Sequence, residues 1–324
     1  MNRWALELKK DGKGHEVDAA EACSARKSPA IFVWVHLDGR EQDTLQWLQD
    51  HGGMPTTVIY ALTAMETRPR SEAIEDGALI NLRGPAADDD KSKNGEDTLV
   101  SIRVWVEQGR AISVSFHPLK GIDKLVDQMK AGEIKDPGDL VSHLAMIITK
   151  QVDPVISDLA DLVDECELRL EPEHAFETRR RIATARSDAI AYRRFVAPQR
   201  VALTQLAELD TPWLEDDDRL HLREAADRFA RMAEDLEAVR ERSALIHEQL
   251  TDLRSEQLEK RALLISIVAL IFLPLTFLTG LLGMNVDGIP DAHEPWAFWA
   301  VVAFCVIIAV VITAWFAFAR WFKG

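Results

Sequence analysis

Cysteine is scarce in this chain of 324 residues, and the three cysteines that occur are far apart. Cys23, Cys166 and Cys305 form no Cys-x-x-Cys pair, which argues against a disulfide framework and against a cysteine-based zinc site. All three suit a reducing cytoplasm. The N-terminus also lacks an apolar run of signal-peptide length. We therefore expect the soluble part of the chain to stay in the cytoplasm.

Basic residues are outnumbered, with 38 Lys and Arg against 53 Asp and Glu and a formal net charge of −15. This balance argues against nucleic acid as a partner, because phosphate binding needs a basic surface. An acidic soluble domain attracts cations, although plain solubility explains the excess as well. Two acidic runs, residues 161–165 and 215–218, are candidates for cation binding. A solvated helix face or a helix cap is the alternative for each run.

Common enzyme motifs are missing too. The sequence contains no phosphate-binding loop, no nucleophile elbow and no His-Glu-x-x-His. We therefore expect neither enzymatic activity nor a bound cofactor.

Charge is absent from two stretches near the C-terminus, residues 262–282 and 296–319. At 1.5 Å per residue, each is long enough to cross a bilayer as a helix. A hairpin buried in a soluble core is the alternative. Aromatic residues flank the second stretch, as in an interfacial belt: Trp296, Phe298, Trp299, Trp315, Trp321 and Phe322.

The basic residues around these two spans predict their orientation. Lys260 and Arg261 precede the first span, Arg320 and Lys323 follow the second, and the connecting loop has neither Lys nor Arg. The positive-inside rule then places both termini in the cytoplasm and the loop outside. We expect a multi-pass protein of the cell inner membrane.

The composition predicts an α+β membrane protein. Hydrophobic runs with β-branched residues predict an α/β domain, which includes a strand pair at 99–107 and 111–116. The pattern becomes helical at Asp136-Pro137-Gly138. The predicted parts are a cytoplasmic α/β domain (1–135), a long helical stalk region (136–259), a first transmembrane helix (260–285), an external loop (286–295) and a second transmembrane helix (296–320).

The helix that contains the first span is predicted to begin at about residue 216. It carries an apolar seam with heptad spacing over five heptads. The seam consists of Leu222, Ala225, Phe229, Met232, Leu236, Val239, Ser243, Ile246, Leu250, Leu253 and Gln257. Two interpretations remain open: the helix packs against its own chain, or it packs against copies of itself.

The first span carries small and hydroxyl-bearing residues: Ser266, Pro274, Thr276, Thr279, Gly280 and Gly283. Thr276, Gly280 and Met284 share one face at helical spacing, roughly continuous with Ile265, Ala269 and Leu273. Such residues mark either close helix packing or a wetted surface, so pore lining and helix–helix packing are both open. One chain with two spans cannot enclose a channel, so a pore would need several copies. With no charge in either span, an ion would pass largely hydrated, and we predict no tight metal site.

Gly283-Met284-Asn285 closes the first span, directly before a short acidic loop and a second span. Together with Pro274-Leu275-Thr276-Phe277, this arrangement resembles the CorA superfamily of divalent cation transporters over the whole chain. The run Gly288-Ile289-Pro290 is similar to the ZntB-like zinc transporter branch. Val286 departs from the aromatic residue usual in the magnesium branch, and Asp287 stands where a Gly is common in the ZntB-like branch.

The resemblance implies a funnel-shaped homopentamer that transports zinc or another divalent cation, with a proton-linked uptake mode. It implies that Gly283, Met284 and Asn285 form the ion selectivity motif, and that Ile265, Ala269, Leu273, Thr276 and Gly280 line the pore. Residues that would attract cations outside are Asp287, Asp291, His293 and Glu294. A magnesium or cobalt channel of the same superfamily is one alternative, and a membrane-tethered sensor or scaffold is another.

Overall fold

The computed structural model describes residues 3–24, 32–65, 68–87, 99–171, 174–284 and 294–321. The chain divides into two compact units, Met1–His247 and Glu248–Gly324. The first unit contains a β-sheet and the helices that cover it. The second contains the two apolar stretches.

The sheet of the first unit has seven strands in the order β2-β1-β3-β7-β6-β5-β4. β3 and β7 pair in parallel, with Val33 opposite Arg110, and every other pair is antiparallel. The strands are β1 (Arg3–Leu8), β2 (Gly14–Val17), β3 (Val33–Asp38), β4 (Arg70–Ile74), β5 (Gly77–Pro85), β6 (Leu99–Glu107) and β7 (Arg110–Ser115).

Eight helices accompany the sheet in the described part of the chain. They are α1 (Ala19–Ser24), α2 (Thr44–His51), α3 (Thr56–Thr63), α4 (Ile122–Ala131), α5 (Pro137–Leu168), α6 (Ala175–Ala207), α7 (Asp216–Leu282) and α8 (Pro295–Trp321). The predicted strand pair is confirmed as β6 and β7, and the long helix does begin at Asp216. Strands β1, β2 and β4 and helix α1 were not predicted from the sequence.

Alternation along the strands gives the sheet two buried faces. Val33, Val35 and Leu37 belong to a core cluster that includes residues of α1, α2 and α3. On the other face, Gly84 of β5 leaves no room for a side chain, because a Cβ there would lie 2.8 Å from Leu119 and 3.0 Å from Ile148 of α5. The glycine therefore lets α5 approach the sheet closely.

Helix α6 completes the sheet where strand β4 is too short. The pairing of β4 with β5 starts at Arg70 opposite Asn81, so the ladder between these two strands does not extend to Arg83. The buried side chain of Gln199 takes that place: its Oε1 accepts from the Arg83 N–H at 2.7 Å, and its Nε2 donates to the Arg83 carbonyl at 2.9 Å. One amide side chain thus substitutes for a neighbouring strand.

Helices α5, α6 and the first part of α7 form a bundle held by ion pairs. α5 and α7 run in parallel, because Ser142 contacts Asp218 near their starts and Arg242 pairs with Asp164 further along both helices. α6 runs the opposite way. Its Arg193 pairs with Glu237 at 3.1 Å, and its earlier residue Arg179 reaches His247, further along α7.

The heptad seam of α7 is buried within this single chain from Leu222 to Ile246. Even Ser243, a polar seam residue, is fully buried. Of the two interpretations of the seam, packing against its own chain is therefore correct for these residues. The interpretation that this part of the seam packs against copies of the chain is wrong, because α5 and α6 already occupy it.

The starts of α5 and α7 meet at a buried carboxylate, Asp218, which is 4% exposed. One of its oxygens accepts from the Glu215 N–H and the other from the Ser142 hydroxyl, both at 3.1 Å. Nearby, Asp136 caps α5 by accepting from the Asp139 N–H at 2.9 Å. Burial, together with the negative charges of Asp139, Asp218 and Glu215, raises the pKa of Asp136 to about 6. Burial also raises the pKa of Asp218.

We expect Asp136→Asn to remove part of the pH dependence of stability. The folded-state pKa of Asp136 lies above its unfolded value of 3.8, so its contribution to stability is full below about pH 4 and is lost as pH rises through about 6. Asn keeps the cap but does not titrate. Asp136 is half-buried, so solvent screens the effect. At pH 7.5 the variant should melt about 2 °C higher, as roughly 1 kcal/mol gives in a unit of this size.

Thermal unfolding of the full chain in detergent between pH 4.5 and 7.5 measures this effect. Asp136→Ala, which also loses the cap, should melt lower than Asp136→Asn at every pH. Asp158→Asn, an exposed change on the same helix, serves as the control. An unchanged pH slope in Asp136→Asn would contradict the assignment.

Candidate pore-lining helix

The apolar part of α7 continues the same helix from Asp216 to Leu282. Both α7 and α8 contain a segment long and apolar enough to cross a membrane, and neither segment is buried within the chain. In water, so much exposed apolar surface would be unfavourable, so these segments need lipid or further protein around them.

The predicted lining face of α7 is bare in the single chain. Successive residues are about 100° apart around a helix, so the six residues of this face fall within an arc of roughly 100°. All six are exposed: Ile265, Ala269, Leu273, Thr276, Gly280 and Met284. Roughly opposite lie four half-buried residues: Ile267, Ile271, Pro274 and Leu278. The chain therefore leaves open the face that carries the small and hydroxyl residues.

Hydroxyl groups on α7 differ in how they are satisfied. Ser266 donates to the Ala262 carbonyl and Thr279 to the Leu275 carbonyl, each at 2.9 Å. Such bonds to the preceding turn are the usual way to hide a hydroxyl in an apolar environment. Within the described part of the chain, the Thr276 hydroxyl makes no hydrogen bond. It is the hydroxyl on this span that remains available to water or to a hydrated ion.

Two glycines near the end of α7 have different local requirements. A Cβ on Gly283 would lie 2.9 Å from the Thr279 carbonyl oxygen, which already accepts the Gly283 N–H, so the end of the helix itself requires glycine. A Cβ on Gly280 would meet nothing within 4 Å. Packing inside the chain therefore does not explain Gly280, whereas close approach of another helix or a narrow pore would.

Pro274 lies inside the span and lacks a backbone N–H. The carbonyl of Leu270, one turn earlier, therefore loses its regular helical partner. In hydrocarbon an unpaired carbonyl costs several kcal/mol, so such a group is tolerated where it meets protein or water. Pro274 thus adds an oxygen acceptor to a span that has no charged group.

The described residues include only part of the predicted ion motif. Gly283 and Met284 follow the last turn of α7, and Met284 is 48% exposed. Asn285, Asp287, Asp291 and His293 lie outside the described residues. Glu294 is exposed just before α8, where its carbonyl accepts from the Ala297 N–H at 3.1 Å.

Helix α8 carries aromatic pairs near both ends. Phe298 and Trp299 meet edge to face at 5.4 Å between ring centroids, and Trp315 and Phe316 do so at 5.1 Å. Trp299 and Trp315 are about 24 Å apart along the helix axis at 1.5 Å per residue. This spacing is close to the hydrocarbon thickness of a bilayer and suits an interfacial belt.

The acidic runs of the soluble unit are engaged within the protein. Asp164 pairs with Arg242 and Glu165 with Arg181, each at 2.5 Å, while Asp218 joins two helix starts. Among the residues that the structure describes, no three His, Cys, Asp or Glu side chains come together in a group that would hold a metal ion. For these described carboxylates, the helix-face and helix-cap interpretations are the better ones.

An α/β unit, a long helix that continues into an apolar segment, and a second apolar helix define the architecture of a membrane transporter of the CorA type. The family model described as CorA-like Mg2+ transporter protein matches residues 29–320. This chain belongs to that family of divalent cation transporters.

Relatives at about 30% identity match almost the whole chain. The divalent cation transporter CmaX of Pseudomonas aeruginosa is 33% identical over 95% of this chain and 92% of its own length. The zinc transport protein ZntB of Yersinia enterocolitica is 30% identical over 96% and 94%. The full-length CmaX structure superposes with a TM-score of 0.79 at 30% identity, covering 98% of this chain and 96% of CmaX. The CorA magnesium transporter of Methanocaldococcus jannaschii shares the fold, with the same score at 18% identity and 98% coverage of both chains.

We expect cysteines on the bare face of α7 to react with a membrane-impermeant thiol reagent. In a background with Cys23, Cys166 and Cys305 replaced by serine, Thr276→Cys and Gly280→Cys should be modified much faster than Leu278→Cys on the opposite face. The reason is that thiolates form only where water reaches them. Mass spectrometry of protein labelled in liposomes measures the rates. Equal rates at all three positions would contradict a wetted face.

Proposed function

We propose that this chain is a zinc transporter of the cell inner membrane that works as a homopentamer, with the apolar part of α7 lining the pore. The observation that carries the proposal is the bare face of α7, with the free Thr276 hydroxyl and the unfilled space at Gly280. Relatives named zinc transport protein, identical at 30–32% over most of the chain, support zinc as the ion. The relative at 33% identity is named only for divalent cations.

Several copies are needed because two spans cannot enclose a path. The bare face has nothing within the chain to cover it, and copies arranged around an axis would turn these faces towards one another. Since the seam from Leu222 to Ile246 is used inside the chain, association must use other surfaces. The Gly280 position would then lie at the centre, where the absence of a side chain keeps the path open.

The ion would cross the span largely hydrated. A divalent ion holds its water strongly, and residues 262–282 offer no carboxylate to replace that water. A ring of Asn285 amides would meet the hydrated ion at the outer end, and Thr276 hydroxyls would contact its water further in. Rings of Leu273 and Ile265 would close the path by excluding water. Weak oxygen contacts of this kind favour throughput over tight capture.

Acidic residues outside would raise the cation concentration at the mouth. Asp287, Asp291 and Glu294 supply negative charge, and His293 adds a group whose charge changes near neutral pH. Basic residues at the cytoplasmic ends of the spans and an acidic loop outside suit inward movement of cations. Coupling to protons, implied by the resemblance, would have its simplest acceptor in His293.

A magnesium or cobalt channel is the second candidate, favoured by the description of the family model. The two differ in competition: robust magnesium uptake, with zinc flux abolished by excess magnesium, would favour this candidate. A membrane-tethered sensor or scaffold would show no flux of either ion.

Asn285→Ala tests the transport site. In liposomes containing the purified full chain, zinc-65 uptake should fall to a small fraction of wild type, because the ring that receives the hydrated ion is lost. Asn94→Ala, a change in the soluble part of the chain, is the matched control and should transport normally. If Asn285→Ala transports as fast as wild type, the proposed role of the motif fails.

Assembly gives a separate test. Native mass measurement of the detergent-solubilised protein should give five times the 36.4 kDa of one chain. A monomer would rule out the pore and leave the tethered scaffold as the better function.

A further inference from the structure

A cavity of about 390 Å³ lies beneath α4, between this helix and strands β1, β2, β3 and β7. All of its lining residues belong to the first unit. Its volume is within the range of small-molecule sites in proteins. Its residues come from four separate segments of the chain, 4–6, 16, 36–40 and 115–130, which is why no local pattern in the sequence predicts it.

Apolar side chains and one indole ring form much of the cavity wall. Leu6, Leu119, Ile122 and Val126 contribute the aliphatic part. Trp4 contributes the ring, and it is held in place by its neighbours: Trp34 meets it edge to face at 4.7 Å between centroids, and His36 lies tilted against it at 5.1 Å. A fixed indole beside an aliphatic wall suits a ring or a short hydrocarbon chain.

The basic groups of the cavity are already paired. Lys130 bonds to Glu16 at 2.7 Å, and Arg40 bonds to Asp38 at 2.7 Å. His36 adds no positive charge at cytoplasmic pH, because burial lowers its pKa to about 4. Its two ring nitrogens face the hydroxyls of Ser113 and Ser115.

One carboxylate of the cavity has no basic partner in the described part of the chain. Asp123, in the first turn of α4, is exposed and has no ion pair with any residue in the described part of the chain. The lining therefore carries three carboxylates against two cations, an excess of one negative charge.

These features exclude two classes of ligand. Phosphate-bearing molecules need free cations or backbone N–H groups, whereas both cations here are paired and Asp123 occupies the first turn of α4. A metal ion needs several converging ligands, and within the described residues the cavity's acids and histidines form no such group.

We propose that this cavity binds a small organic amine, with its hydrocarbon part against Trp4 and the aliphatic wall and its ammonium group at Asp123. The indole face offers a flat apolar surface to the hydrocarbon part, and a charge-assisted contact to the carboxylate fixes the orientation of the ammonium group. The bound amine bridges α4 to the sheet. It would therefore stabilise the first unit, independently of whether the protein transports zinc.

Isothermal titration of the detergent-solubilised full chain with 2-phenylethylamine tests the proposal, with protein-free micelles as the blank. The amine should bind wild type and Asp127→Asn, an exposed change on the same helix outside the cavity, with equal affinity. Asp123→Asn should bind about tenfold more weakly, the loss expected when a charge-assisted contact becomes neutral. Val126→Trp, which fills the cavity, should abolish binding.

Matched ligands make the result decisive. 2-Phenylethanol, with a hydroxyl in place of the ammonium, and phenylacetate, with a carboxylate, should bind more weakly than the amine. The proposal is overturned if the alcohol binds as tightly as the amine, if Asp123→Asn or Val126→Trp binds like wild type, or if no amine binds at millimolar concentration. Displacement of the amine by inorganic phosphate would equally overturn it, because the site would then select anions.

Discussion

Helix α7 has to remain a single helix in two different solvents, and many features of the chain follow from this constraint. Up to His247 it lies in the first unit, where α5 and α6 cover its apolar seam. Arginine–carboxylate ion pairs join it to both helices. Beyond Arg261 no charged residue occurs before Asp287, as is required of a segment that crosses a bilayer. There the backbone must satisfy itself, and Ser266 and Thr279 return their hydroxyls to the same helix. The Thr276 hydroxyl makes no such bond within the described part of the chain. It lies, together with Gly280, on the face that the chain leaves bare.

The start of α7 depends on a carboxylate that is buried without an arginine or lysine. Asp218 is held by a hydroxyl, by a backbone N–H and by the positive ends of two helices, since it lies against Gly138 in the first turn of α5. Partial charges stabilise an ionised acid less than a full counter-ion does, so burial still raises its pKa. The contact that sets α5 parallel to α7 is therefore one that protons can change. An Asp–Arg pair in its place would be insensitive to pH changes near neutrality.

Local patterns in the sequence predicted the elements whose signals are local. The β6–β7 pair, the start of α7 and the two apolar helices follow from hydrophobic period, turn residues and absence of charge. Strands β1, β2 and β4 were missed because each is short and mixes polar with apolar residues, so no hydrophobic run marks them. Gln199 shows the same limit: a polar residue in a helix reads as exposed, yet it is buried because β4 ends early. The seam of α7 could not be assigned either, since packing within a chain and between chains requires the same heptad period. Helical spacing predicted which residues share one face of the first span, while the assignment of that face to a pore and the role of Asn285 rest on resemblance.

The choice between zinc and magnesium depends on which ligand atoms the path presents. Thr276 hydroxyls, the Leu270 carbonyl freed by Pro274, and Asn285 amides are all oxygen donors, and oxygen suits magnesium at least as well as zinc. Imidazole nitrogen prefers zinc, and His293 is the one histidine in the loop between the two spans. A span without charge passes hydrated ions with little discrimination. In the proposed zinc transporter, selection would therefore have to occur before the span, in a loop whose sequence contains one histidine and three acidic residues.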